Sequence, residues 1–186
     1  TYALAPGDVV VSLGDQRHSY HNRGDIEAVR TLLREGADVN AAQGDGMTAL
    51  HWSAERGDRA TMDVLLFAGA TTESTTRVGR YTALHLASGN GHAAAVTRLL
   101  EAGAKAGAVT STGVQPLHLA AEAGNPDAIK ALLARGADVN ARDETHGRTP
   151  LVFAASKNRI EGLKALVAGG ADVRLATNVI DYVARS

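Results

Sequence analysis

The chain has 186 residues, of which 45% are apolar, 21% charged and only 4% aromatic, with 19 basic against 20 acidic side chains. A net charge of −1 with no basic stripe argues against general nucleic-acid binding, and no apolar run approaches the roughly 20 residues that span a bilayer. The absence of cysteine excludes disulfides, thiolate nucleophiles and cysteine metal sites.

Residues 1–14 read as an N-terminal extension. Beyond them one phrase returns at steps of 34, 33 and 34 residues: Thr48-Ala49-Leu50-His51, Thr82-Ala83-Leu84-His85, Gln115-Pro116-Leu117-His118 and Thr149-Pro150-Leu151-Val152. Two further phrases keep phase with it. One is Leu32-Leu33, Leu65-Leu66, Leu99-Leu100, Leu132-Leu133 and Leu166-Val167; the other is Gly36-Ala37, Gly69-Ala70, Gly103-Ala104, Gly136-Ala137 and Gly170-Ala171. A fixed period of this length predicts a stacked array, in which each unit buries its apolar face against its neighbours. The array runs over 15–174, in units of about 15–42, 43–75, 76–108, 109–142 and 143–174.

The first unit is degenerate. Asp15-Gln16-Arg17-His18 replaces the phrase, and Tyr20 and His21 stand where later units have Ala120 and Ala121, so its first helix is expected to be irregular. In the second, Arg59 takes the place of Ile26 and Ile160, with its stem packed and its charge in water. Trp52 is in phase with Leu86, Leu119 and Phe153, which favours a core role over a binding hot spot. In the third, Arg80 falls where neighbouring units have a glycine and Gly79 comes one place earlier, so this loop is expected to differ in shape.

The fourth unit shows the plan most plainly. Gln115-Pro116 opens a short helix, with proline tolerated in the first turn. Leu117, Leu119, Ala120 and Ala121 supply its packing face, and Gly124 ends it. Asn125 caps a second helix that starts at Pro126 and buries Ile129, Leu132 and Leu133. Gly136 stops that helix, and a polar connection leads to Gly147. In the fifth unit Asn158 replaces the glycine between the helices; asparagine is the next residue best suited to a left-handed position. Residues 175–186 read as a C-terminal cap or a linker cut from a longer array.

This phased pattern, with the phrase T-P-L-H-x-A, resembles the ankyrin repeat. The resemblance covers roughly residues 12–174 and implies an all-α solenoid of stacked helix-turn-helix units with projecting β-turn or hairpin loops. It further implies non-catalytic binding of a protein partner on the concave face formed by finger tips and the exposed ends of the first helices. The matching positions are Asp45, Met47, Glu55 and Arg56; Val78, Arg80, Tyr81 and Asn90; Thr112, Val114 and Glu122; and His146, Arg148, Ser156 and Lys157. Tyr81, Met47, Arg80 and Arg148 are the expected high-energy contacts, because aromatic and arginine side chains dominate such sites. The other reading is a scaffolding or docking segment of a larger enzyme or membrane assembly, with the chain a monomer or part of that assembly. The excess of arginine over lysine fits a GC-rich genome, and the pattern resembles ankyrin proteins of GC-rich bacteria, some of them exported. An extracytoplasmic location therefore stays open.

No catalytic, cofactor or metal residues are assigned. His51, His85 and His118 line up along the stack, but equivalent helices sit about 8–10 Å apart and zinc needs nitrogens near about 2.0–2.1 Å. The resemblance implies instead that each imidazole bridges backbone groups of adjacent fingers. His18 and His21, with Asp15, share a helix face without a fourth ligand and read as a polar cap. Gly89-Asn90-Gly91 is explained by an inter-helix turn rather than a phosphate loop.

Overall fold

The computed structural model describes residues 26–175 and two short strands, β1 (Val9–Val10) and β2 (Ser19–Tyr20). The strands pair antiparallel, Val9 with Tyr20 and Val10 with Ser19. At Ser19–Tyr20 the backbone is strand, where an irregular helix was expected of the first unit. A bulky tyrosine where later units have alanine favours extended backbone over a close helical contact. His18, His21 and Asp15 lie outside the described residues, as does the tail beyond Leu175.

Among the described residues nine helices follow. The first unit contributes α1 (Ile26–Arg34). The others each contribute a pair: α2 (Ala49–Arg56) with α3 (Arg59–Phe67), α4 (Ala83–Gly89) with α5 (Ala93–Glu101), α6 (Pro116–Ala123) with α7 (Pro126–Ala134), and α8 (Pro150–Ser156) with α9 (Ile160–Ala168). The first helices α2, α4, α6 and α8 stack on one another, and so do the second helices α1, α3, α5, α7 and α9. This is an all-α repeat solenoid.

Local chemistry sets the helix ends. Thr48, Thr82, Gln115 and Thr149 stand at the N-cap positions of the first helices in extended backbone, and the Thr48 and Thr82 hydroxyls accept the amides of His51 and His85. Gly57 and Gly124 close two of them in the left-handed region, at φ 69° and 79°. Asn158 takes the equivalent place at φ 54°, as its side chain permits. The core is a spine of leucines, with Leu50, Leu84 and Leu117 from the first helices and Leu65, Leu99, Leu132 and Leu166 from the second, all fully buried. Ala54, Ala87 and Ala120 let neighbouring first helices approach closely and are themselves buried. Trp52 is half-buried against this core. Arg59 is exposed and faces Asp63 at 3.8 Å; its counterpart Ile160 is itself 52% exposed, so this position lies at the rim rather than in the core.

Candidate finger and first-helix surface

Four fingers project between the units, at 43–47, 76–81, 110–114 and 143–148. Each is closed by a backbone bond between its ends: Gln43 N–H to the Met47 carbonyl at 2.9 Å, Thr76 to Tyr81 at 2.9 Å, Thr110 to Val114 at 2.9 Å and Asp143 to Arg148 at 3.0 Å. The second and fourth of these fingers in space, 76–81 and 143–148, are one residue longer than the other two.

A side-chain oxygen inside each finger accepts the amide of its last residue. Asp45 Oδ1 receives Met47 N–H at 2.9 Å, Thr76 Oγ1 receives Tyr81 at 3.0 Å, Thr110 Oγ1 receives Val114 at 3.1 Å and Asp143 Oδ1 receives Arg148 at 2.8 Å. The sequence reading missed Thr76, Thr110 and Asp143. Their signal was available as a Thr or Asp four or five residues before the end of each finger, a turn-closing habit of these side chains.

The histidines join finger to finger. His51 Nδ1 accepts the Thr48 amide at 3.2 Å, and the same contact recurs from Thr82 to His85 at 3.2 Å and from Gln115 to His118 at 3.1 Å. An amide can only donate, so Nδ1 is unprotonated and Nε2 carries the hydrogen. Nε2 of His51 then donates to the Tyr81 carbonyl at 3.1 Å, that of His85 to Val114 at 3.2 Å and that of His118 to Arg148 at 3.1 Å. Burial disfavours the imidazolium and lowers the pKa of all three, to about 4 for His85, against the carbonyl bonds that raise it. Direct backbone bonds add to this stitching: Arg77 N–H to the Asp45 carbonyl at 2.8 Å, Ser111 to Gly79 at 2.9 Å and Glu144 to Thr112 at 2.9 Å.

A second ladder runs along the inter-helix turns. His92 Nε2 bonds the Glu55 carbonyl at 3.0 Å, Asn125 Nδ2 the Gly91 carbonyl at 2.8 Å and Arg159 Nε the Glu122 carbonyl at 2.9 Å. These three polar residues follow Gly91, Gly124 and Asn158 in sequence; the sequence reading used only Asn125, as a helix cap.

The family model for ankyrin repeats matches three overlapping stretches, residues 18–110, 60–143 and 106–177. The chain belongs to the ankyrin-repeat family. A curated relative, a Caenorhabditis elegans protein described as an ankyrin repeat and LEM domain-containing protein 1 homolog, is 43% identical over 55 residues. That match takes in 30% of this chain and 8% of the relative's length. Ankyrin repeats are generally protein–protein interaction modules and are typically non-enzymatic. No helix among the described residues is long and apolar enough to cross a membrane.

The ankyrin fingers divide the sequence-predicted site residues into two groups. Met47 and Val114 are buried, and Tyr81 and Arg148 half-buried, contrary to their expected place at the tips. These are the last finger residues, whose amides and carbonyls hold the ladder, so their side chains are drawn inward. The Tyr81 ring lies over Gly79 and edge-on to His85 at 5.9 Å. Arg148 pairs with the buried Asp143 at 2.8 Å and covers the Phe153 ring at 4.6 Å. For Asp143, burial favours the neutral acid, but the hydrogen bonds from Arg148 and His146 outweigh it and hold the carboxyl below its usual range.

The remaining candidates lie at the surface. Asp45, Arg56, Val78, Arg80, Asn90, Thr112, His146, Ser156 and Lys157 are exposed, and Glu55 and Glu122 half-buried. Glu122 and Lys157 meet across units four and five at 3.2 Å. The sequence reading also missed Phe67, which is 94% exposed beside an open groove of about 790 Å³ between α1 and α3. Its equivalents Arg34, Glu101, Ala134 and Ala168 are charged or small, so an aromatic there was a visible departure.

Proposed function

We propose that this chain recognises another protein, without catalysis, through the concave surface formed by its fingers and first helices. The observation that carries this reading is a division of labour. Residues that recur from unit to unit build the core and ladders, while exposed residues of this surface change from unit to unit, as Asp45, Arg80, Asn90, Thr112, His146 and Lys157 do. Neighbouring first helices also touch more extensively than neighbouring second helices, which supports curvature toward the first-helix side. The surface mixes both charge signs with a few apolar side chains, a composition suited to protein partners.

The test begins with affinity capture using the full chain as bait. The partner is then titrated against Asn90→Tyr with Ser156→Tyr on the first-helix side and Glu101→Tyr with Lys130→Tyr on the second helices. Loss of binding with the first pair alone, with circular dichroism unchanged, supports the concave surface. Loss with the second pair alone refutes it.

A second reading treats the stack as a docking segment of a larger enzyme or membrane assembly. Its support is the matched relative, whose description pairs ankyrin repeats with a LEM domain and of which the matched stretch is 8%.

A further inference from the structure

We infer that the third unit's finger is an arginine clamp for an acidic segment of the partner, with Arg80 as its specificity-determining residue. This rests on the concave-surface reading above and adds the partner's chemistry to it.

Arg80 occupies the place of Gly46, Gly113 and Gly147, the residue just before the end of each finger. Those glycines have φ of 86°, 73° and 64°, and Arg80 shares their left-handed backbone at φ 56°. A side chain such as arginine's is strained there, and glycine is not. The fold works with glycine at this position in three other fingers, so the arginine is not required by the scaffold. Strain that the scaffold does not need points to function.

The surroundings give that function its chemistry. Val78 at the tip is 84% exposed. Arg77 and Arg80 flank it, both exposed, and neither guanidinium has an ion-pair or hydrogen-bond partner among the described residues. Acidic groups on neighbouring loops are engaged elsewhere: Asp45 with the Met47 amide, Glu73 with Lys105 and Asp143 with Arg148. Glu144 packs over Gly113, beyond the intervening finger. The tip itself is held still. Thr76 Oγ1 donates to the Val78 carbonyl at 2.7 Å, and backbone bonds tie Arg77 to Asp45 and Gly79 to Ser111. Two forked guanidiniums on a fixed loop, with an apolar side chain between them, fit a peptide bearing two carboxylates around an apolar residue.

The probe is a displayed library of random twelve-residue peptides selected on the full chain. Enriched peptides should carry an acidic–apolar–acidic pattern. Synthetic versions should bind Arg80→Gly and Arg80→Asn about 10-fold more weakly than the unaltered chain, as expected for loss of an arginine contact. Arg80→Gly should meanwhile melt about 2 °C higher, because its strain is relieved. Asparagine tolerates the left-handed backbone, so its variant separates lost charge from altered loop shape. No enrichment over bare resin, no acidic pattern, or equal binding to Arg80→Gly overturns the clamp. The Asn90→Tyr, Ser156→Tyr variant distinguishes the two levels. Peptides lost with that variant yet indifferent to Arg80 overturn the clamp alone. Peptides that are indifferent to Arg80 and also bind that variant at full strength overturn the concave-surface reading as well.

Discussion

The third and fourth units' fingers are closed by equivalent bonds, but the third is one residue longer and the two differ at the residue before the last. In both, a threonine hydroxyl accepts the final amide, from Tyr81 to Thr76 and from Val114 to Thr110. In both, a histidine of the preceding unit holds the final carbonyl. The fourth finger then places Gly113 at its left-handed position and the third places Arg80 there. The base of a finger is therefore a shared hinge fixed by repeated chemistry, and the tip is free to depart from it, even at a cost in backbone strain.

The shared hinge gives the largest expected effect, through pH. His85 is neutral in the fold, with a pKa lowered to about 4 from 6.5. Between these values the unfolded chain takes up a proton that the folded chain refuses. Stability is thus fully present above pH 6.5 and falls as pH drops toward 4. A shift of this size corresponds to roughly 3 kcal/mol for the one residue, and His51 and His118 act in the same direction. Thermal melts at pH 7, 6, 5 and 4.5 should show a steady decline. A flat profile over that range would contradict the neutral ladder.

Gly113→Ala tests the tip from the other side. A Cβ there would lie 2.4 Å from Glu144 Cγ and 2.8 Å from the Glu144 amide nitrogen, on backbone at φ 73°. The combination should cost about 2 kcal/mol, read as an earlier midpoint in urea. Glycine replacing Arg80 and alanine replacing Gly113 should therefore move stability in opposite directions. Equal signs would mean that the two tips are not equivalent.

The third finger has the length of the fifth but a different internal latch. In the fifth, the Asp143 carboxylate gathers the amides of His146 and Arg148 and the Arg148 guanidinium. Asp143→Asn turns one acceptor into a donor facing Arg148. The loss should be about 1.5 kcal/mol, since the carboxylate is buried but the arginine is partly exposed. Thr76→Val in the third finger should cost less, because its latch is a neutral hydroxyl. Chemical denaturation of the two variants side by side checks the ranking.

Much of this was legible in the chain itself. The glycine, leucine and T-P-L-H phrases locate helices, caps and core because each repeats under the same packing demand. The odd residues at Arg80 and Asn158 were visible against that background, and both prove left-handed. The inward turn of Met47, Tyr81, Val114 and Arg148 was not legible. It depends on which backbone groups of a finger are held by the histidine ladder, and those bonds join residues about one full unit apart. Strand pairing at Ser19–Tyr20 was equally hidden, since its partner Val9–Val10 lies in a segment without repeat phase.

The smallest effect concerns a second departure in the third unit. Ser88 on α4 is fully buried and its hydroxyl has no hydrogen-bond partner among the described residues. The equivalent residues Ala54, Ala121 and Ala155 carry no polar atom there. Ser53, one place earlier in its own helix, shows the contrasting case: its hydroxyl donates to the Leu50 carbonyl at 3.0 Å. Enclosing an unpaired hydroxyl costs more than a methyl in the same space, so Ser88→Ala should stabilise the chain by about 0.5 kcal/mol. Both Ser88→Ala and Arg80→Gly bring the third unit toward the fourth unit's pattern, and both should raise the melting midpoint. Only the second should weaken the acidic peptides, because Ser88 is inside the stack and Arg80 is at its surface. If Ser88→Ala weakened them equally, stability and binding would be coupled through the whole unit. Strain at Arg80 would then no longer mark a contact.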